Sequence, residues 1–375
     1  MDIVIRVPRF KRNFYGKSPS KNNRVVCLPR GTAPRFPYPD PAGAMRVGIP
    51  RSLLYYKYLP FWKTFLAELG LEVETSPLTN KQILSWGVKV AENELCVPVK
   101  AFYGHCMALR GKVDALFVPR VVSVEERAYT CPKFLGLPDM VAAVAEQLEL
   151  PPLLTPKLNQ REKPREFKWQ LISFAREQFG LGTLDAVSAL EAARRAQKDY
   201  QQGLVEGRKP IDLLPASRLN RPRWKLEKAE RKRIGLLGHP YNIYDGYITQ
   251  NLIARLEEMG AELVVPEMTD HHILMKEATD VPKQLYWTYE KEIMGAVNYW
   301  TRNNMVDGVI YVLAFACGPD SLIQVLIEHR ARTHNVPLMS LTIDEHSGEA
   351  GLVTRIEAFT DMLMRKKKPA AEAVA

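Results

Sequence analysis

The chain runs through the same pattern twice. MRVGIPR at 45–51 reads as a short strand, and SLLYYKYLPFWKTFLAELG after it places apolar residues at helical spacing and closes on Gly70. LEVETSP then reads as a second strand. From Arg233 the order returns: RIGLLGHP stands for the first strand, YITQNLIARLEEMG, closing on Gly260, for the helix, and AELVVPE for the second strand. Further on, VDALFVPRVVSVEERAYTCPK and VDGVIYVLAFACGPD each open on Val-Asp, pass through a buried strand and reach a cysteine beyond it. Strand–helix–strand units of this kind build parallel sheets. The chain is therefore expected to be α/β, with two Rossmann-like parallel-sheet domains related by duplication and a helical insert between them.

The expected boundaries are 45–150 and 233–368, and 375 residues suit two such cores. The second domain ends with a strand in VPLMSLTID and a C-terminal helix in EAGLVTRIEAFTDMLMRKKK. In the insert, 151–232, LDAVSALEAARRAQKDYQQGL reads as a helix, with PPLLTP and LLPAS as breakers. The insert holds no Cys or His and is assigned no chemistry. The net charge of +10 is unevenly placed: residues 1–44 hold nine Lys and Arg against Asp2 and Asp40, which is seven of the ten. That segment is rich in Pro, Asn and Ser, lacks periodicity and is expected to be a disordered basic tail rather than a nucleic-acid arm. The strand directly after Met45 makes that methionine an alternative start of translation, and 369–375 read as a second tail. Apolar runs stay near strand length, far below the roughly 20 residues of a membrane span. No secretory signal is evident, and five cysteines are too few and odd for a disulfide framework, so a cytoplasmic protein is expected.

Three of those cysteines stand out. Cys317, in FACGPDS, ends a buried strand, and ligands of open parallel sheets bind beyond the carboxyl ends of strands. Gly318 and Pro319 are expected to break the strand, with a helix starting near Asp320 or Ser321. That helix N-terminus should favour thiolate over thiol. Cys131 precedes Pro132 in a comparable loop, with PDM at 138–140 opening the next helix. Cys96 lies in ENELCVPVKAFYGH, where Pro98 breaks the local structure. Three readings stay open on these residues alone. They are ligands of an iron–sulfur cluster, a zinc site completed by His105 or His239 but lacking short-spaced ligand pairs, or ordinary buried thiols.

ENELCVPVKAFYGH, YTCPKFLGLPDM, GHPYNIYD, FACGPDS and TIDEHSGEAGLVTRIEAFTDML, in that order, resemble the 2-hydroxyacyl-CoA dehydratase-related superfamily. Within it the resemblance is to the acyl-CoA dehydratase activase-related branch, over about residues 45–365. It implies Rossmann-like domains holding a 4Fe-4S cluster through Cys96, Cys131 and Cys317, with one iron lacking a cysteine. Cys106 then becomes a core thiol, and Cys27 falls outside the match. It further implies low-potential electron transfer or reductive, dehydratase-type chemistry. The electron would come from a separate ATP-dependent activase of the ASKHA type, itself an iron–sulfur protein; the chain has no P-loop of its own. A homodimer or heterodimer would bring two cubanes together. The competing expectation is a non-catalytic scaffold or maturation protein with a structural cluster or zinc.

Other polar residues surround these motifs. Glu94 and Lys100 flank Cys96 and are candidates for tuning a cluster. His239, Tyr241 and Asp245 in GHPYNIYD follow the second domain's first strand and are candidates for contacts behind the ligands. His105 is expected to hydrogen-bond within the core. Asp344, Glu345 and His346, with Arg355 and Glu357, are either a proton-handling group or the ion pairs that fix the C-terminal helix, the second being favoured.

Overall fold

In the computed structural model, which describes residues 44–164, 166–214 and 231–365, both copies of the repeat build a parallel sheet with one strand order. The expected basic tail up to Gly43, Cys27, the LLPAS breaker beyond Leu214 and the tail from 369 lie outside the described residues. The first copy runs β1 (Arg46–Ile49), α1 (Tyr55–Glu68), β2 (Glu72–Thr75), α2 (Lys81–Val90), α3 (Val97–Leu109), β3 (Ala115–Phe117), β4 (Arg120–Ser123), α4 (Pro132–Ala145), β5 (Leu153–Leu154) and β6 (Lys157–Asn159). Its sheet is ordered β2-β1-β3-β5, and β4 pairs with β6 in a separate ribbon. PPLLTP, expected as a breaker, supplies the edge strand β5.

The insert contributes α5 (Glu166–Phe179), α6 (Thr183–Val205) and the short α7 (Pro210–Leu213). The helix expected over LDAVSALEAARRAQKDYQQGL is α6. It packs on α1, where the Tyr200 hydroxyl donates to the Tyr56 carbonyl (2.6 Å) and Gln197 to that of Lys57 (2.9 Å).

The second copy runs β7 (Arg233–Gly238), α8 (Pro240–Ile243), α9 (Leu252–Glu258), β8 (Glu262–Val264), α10 (His271–Glu277), α11 (Thr288–Arg302), β9 (Gly308–Ala314), α12 (Gly318–Thr333), β10 (Leu338–Ile343) and α13 (Glu349–Arg365). Its sheet is ordered β10-β9-β7-β8, so β7, β8 and β9 stand where β1, β2 and β3 do. The repeated Val-Asp explains itself here. Asp114 accepts from the Arg46 amide (2.7 Å) and Asp307 from the Arg233 amide (2.8 Å), so each aspartate pins the start of its central strand. Within GHPYNIYD, Pro240–Ile243 form the short α8, headed by His239. The helix after it is shorter than its counterpart α1, because Gln250 and Asn251 turn through the left-handed region before α9 begins.

Each central strand, β1 or β7, feeds a neighbour on one side before the chain crosses to the other, which opens a crevice at the carboxyl ends. One core runs through both copies, from Phe65, Leu66 and Phe117 to Ile234, Ile310 and Val312; a second lies under α11 and α12 around Trp300 and Tyr311. Ion pairs tie the copies together: Lys57 to Glu292, Lys100 to Glu345, and Lys291 to Glu125 at 2.8 Å. Close approach of α2 to α3 depends on Gly104, where an added Cβ would sit 1.9 Å from the Ile83 carbonyl oxygen. No described helix is long and apolar enough to cross a membrane.

Candidate metal centre

Cys96, Cys131 and Cys317 are each the residue that precedes the first turn of a helix: Cys96 heads α3, Cys131 heads α4 and Cys317 heads α12. In all three the proline sits inside that first turn, as Pro98, Pro132 and Pro319. This corrects the expectation that the prolines break the structure and displace the helix starts to 138–140 or 320–321. A first-turn amide has no partner within the helix, so proline loses nothing there and its fixed φ suits the turn. The sulfurs are thus carried at three helix N-termini. Ala316, at φ +62, bends the chain sharply before Cys317.

The three thiols come from distant parts of the sequence but feel one another. Burial raises all three; Cys96 adds to the rise of Cys131, to about 11, and both Cys96 and Cys131 add to that of Cys317. The amides of Val99, Lys133 and Asp320 oppose this at the respective sulfurs, and the Lys133 ammonium also favours the thiolate of Cys96. The Cys317 thiol is thus pushed up, against the expected preference for thiolate. Burial and the Asp320 carboxylate outweigh the helix N-terminus. Cys106 is fully buried within α3 and its thiol is also pushed up by burial, as a core thiol should be.

Behind Cys317 lies a buried polar group. His239 Nε2 is 3.1 Å from Asp320 Oδ1, at an angle that makes no hydrogen bond, and 3.7 Å from Glu290 Oε1. Burial lowers the His239 pKa, but Asp320 and Glu290 overcome it and raise the imidazole to about 9. Burial lifts Glu290 to about 7. His239, Cys317 and Asp320 form a possible metal-binding triad, with donor atoms within 4.8 Å of one another. Cys96 and Cys131 stand outside that group. Gly238, at φ +146 with Val312 O 2.4 Å from where a Cβ would be, lets β7 end close against β9 just before His239.

Of the other predicted residues, Tyr241 reaches this centre. Its ring stacks on His239 (4.9 Å between centroids), meets Phe134 edge-on (6.1 Å), and feels all three cysteines. The Glu94 side chain is exposed, while its carbonyl accepts from Lys133 (3.2 Å). Lys100 is buried and paired with Glu345, so it anchors α3 to the turn after β10. Asp245 faces away into a chain of hydrogen bonds with Thr79 and His105. His105 bonds within the core as expected, to Ser76 (2.9 Å) and Thr79 (3.0 Å). Asp344 accepts from Ser347 and the His346 amide, and Arg355 holds the Ser340 carbonyl, so this group fixes the C-terminal helix.

Sequence reading passed over Glu290, Asn242 and the charge of Asp320. Glu290 did leave a signal: it lies on the apolar stripe of α11 with Ile293, Met294 and Val297, where a carboxylate is out of place. A small apolar recess of about 40 Å³, partly open to solvent, sits at the carboxyl ends of β1 and β3. Ile49, Pro50, Phe102, Phe117, Phe134 and Leu137 are among its walls, and Phe134 lies one turn of α4 from Cys131.

No curated protein matches the chain. The family model described as the CoA enzyme activase uncharacterised domain (DUF2229) matches residues 46–269. That span covers more than half of the sequence and includes Cys96, Cys131 and His239. The resemblance to activase-related proteins holds at this level, and the chain belongs to the CoA enzyme activase uncharacterised domain family.

Proposed function

We propose that the chain is a 4Fe-4S protein, with the cluster held by Cys96, Cys131 and Cys317, serving low-potential electron transfer or dehydratase-type reductive chemistry. One observation carries the reading: three cysteines far apart in sequence head three converging helices and interact with one another. Helix N-termini stabilise anions, and three thiolates around a cluster need such a setting. When bound, such a cluster supplies one-electron transfer and, at an iron without cysteine, a Lewis acid.

The chain's own part is positioning and shielding. Tyr241 and Phe134 cover the thiols, and Lys133 sets positive charge beside Cys96. The source of the electron is read as a separate ATP-dependent activase.

Anaerobic purification should give brown protein with about four iron and four sulfide per chain. Cys317→Ser should lose the iron, and Cys106→Ser should keep it. Addition of an activase with ATP should bleach the cluster's visible absorption. Colourless protein, or equal behaviour of the two variants, would overturn the reading.

A further inference from the structure

The polar group behind Cys317 is at odds with its own burial. His239, Glu290 and Asp320 are 2, 1 and 0% exposed. Yet Glu290 Oε2 and Asp320 Oδ2 have no hydrogen-bond partner, and His239 Nε2 and Asp320 Oδ1 meet each other only as an ion pair at 3.1 Å. Buried polar atoms are nearly always satisfied, and each exception calls for a missing partner. Two buried carboxylates facing one imidazole also leave negative charge uncompensated when both ionise.

A single cation would answer the deficits of the imidazole and the carboxylates. We propose that His239, Cys317 and Asp320, with Glu290 beside them, form a mononuclear site for a divalent cation of the zinc or ferrous kind, filled when no cluster is bound. The donor set of one imidazole, one thiolate and carboxylates is that of zinc-type ions, whereas calcium and magnesium take oxygen ligands. Donor atoms around such an ion lie about 3 to 4 Å apart. The triad, within 4.8 Å, closes to that spacing by small side-chain rotations. Its ligands come from the end of β7 and the first turn of α12, with Glu290 from α11, so the ion would clamp three elements of the second sheet. The site goes beyond the cluster reading and overlaps it at Cys317 alone, so ion and cluster exclude one another at that sulfur.

Zinc is the probe. The full-length chain, reduced and stripped by chelator, should take up one zinc, and X-ray absorption at the zinc edge should show one sulfur with nitrogen and oxygen neighbours. His239→Ala and the isosteric Asp320→Asn should weaken zinc binding by more than a hundredfold against a chromophoric chelator, beyond the roughly 10–100-fold of outer contacts. The double variant Cys96→Ser/Cys131→Ser should bind zinc normally. Thermal melting of the stripped variants reports whether each is folded, and Asp320→Asn keeps the proposal testable should His239→Ala fail to fold. Three sulfurs around zinc, or zinc lost in the double cysteine variant but kept in Asp320→Asn, would overturn it. So would the absence of stoichiometric uptake. Iron and sulfide content distinguishes the two readings: the cluster reading fails if the double cysteine variant keeps about four iron and four sulfide, whatever the zinc result.

Discussion

Asp245 can be used to measure what it costs to join the two copies of the repeat. Its carboxylate is 3% exposed; Oδ1 faces the amides of Tyr247 (3.1 Å) and Ile248 (3.2 Å), while Oδ2 accepts from the Thr79 hydroxyl. Thr79 has one proton, so its oxygen must accept from His105 Nε2–H, which leaves Nδ1 to accept from Ser76. Burial pushes Asp245 up to about 6 from 3.8, against the opposing pull of Thr79, the two amides and Arg51. About two pH units correspond to about 3 kcal/mol. The raised value means the folded chain prefers the protonated acid. That stability is complete below about pH 4 and lost as pH rises through about 6.

Asp245→Asn removes the charge and keeps an acceptor for the two amides. Rearranging the Thr79 bond costs about 1 kcal/mol, so the net gain at pH 8 is about 2 kcal/mol. Urea unfolding should show the variant more stable at pH 8, with the difference vanishing near pH 4. The asparagine must donate to Thr79, which then donates to His105, so ring nitrogen shifts should report the Nδ1–H tautomer. A variant less stable than the parent at pH 8, or a difference that does not change with pH, would refute the reasoning.

Two further predictions concern the placement of α3. Lys100→Met strands Glu345 in a largely buried site and should destabilise by about 3 kcal/mol, with Lys100→Met/Glu345→Leu recovering most of it; equal melting of the single variant and the parent would count against a structural role for the pair. Gly104→Ala should cost about 2 kcal/mol or more by forcing α2 off α3. As its control, Gly136→Ala in α4, where the new Cβ meets only Met140 Sδ at 3.6 Å, should gain about 0.5–1 kcal/mol in the same thermal assay.

The duplicated strand–helix–strand pattern made the sheets legible, because apolar period and turn glycines are local signals. Even the repeated Val-Asp marked a real contact at each central strand. The site was only half legible. The cysteines could be picked out, but proline near a helix start carries two opposite meanings, and sequence alone does not say which applies. His239 could be named from GHPYNIYD and Glu290 left a misplaced carboxylate, but that they meet Asp320 follows only from tertiary packing of β7, α11 and α12. The proline ambiguity can be settled by experiment. If Pro319 belongs to the first turn of α12, its missing amide had no partner to lose, and Pro319→Ala gives up only chain stiffness, about 1 kcal/mol or less. Cys317 would remain at the head of the helix, with an unchanged rate of alkylation in the metal-free chain. Were Pro319 instead a stop holding the helix start at Asp320 or Ser321, alanine would let the helix begin earlier. The alkylation rate of Cys317 would then change severalfold with little change in melting temperature, and the shared first-turn geometry of the three thiols would have to be abandoned.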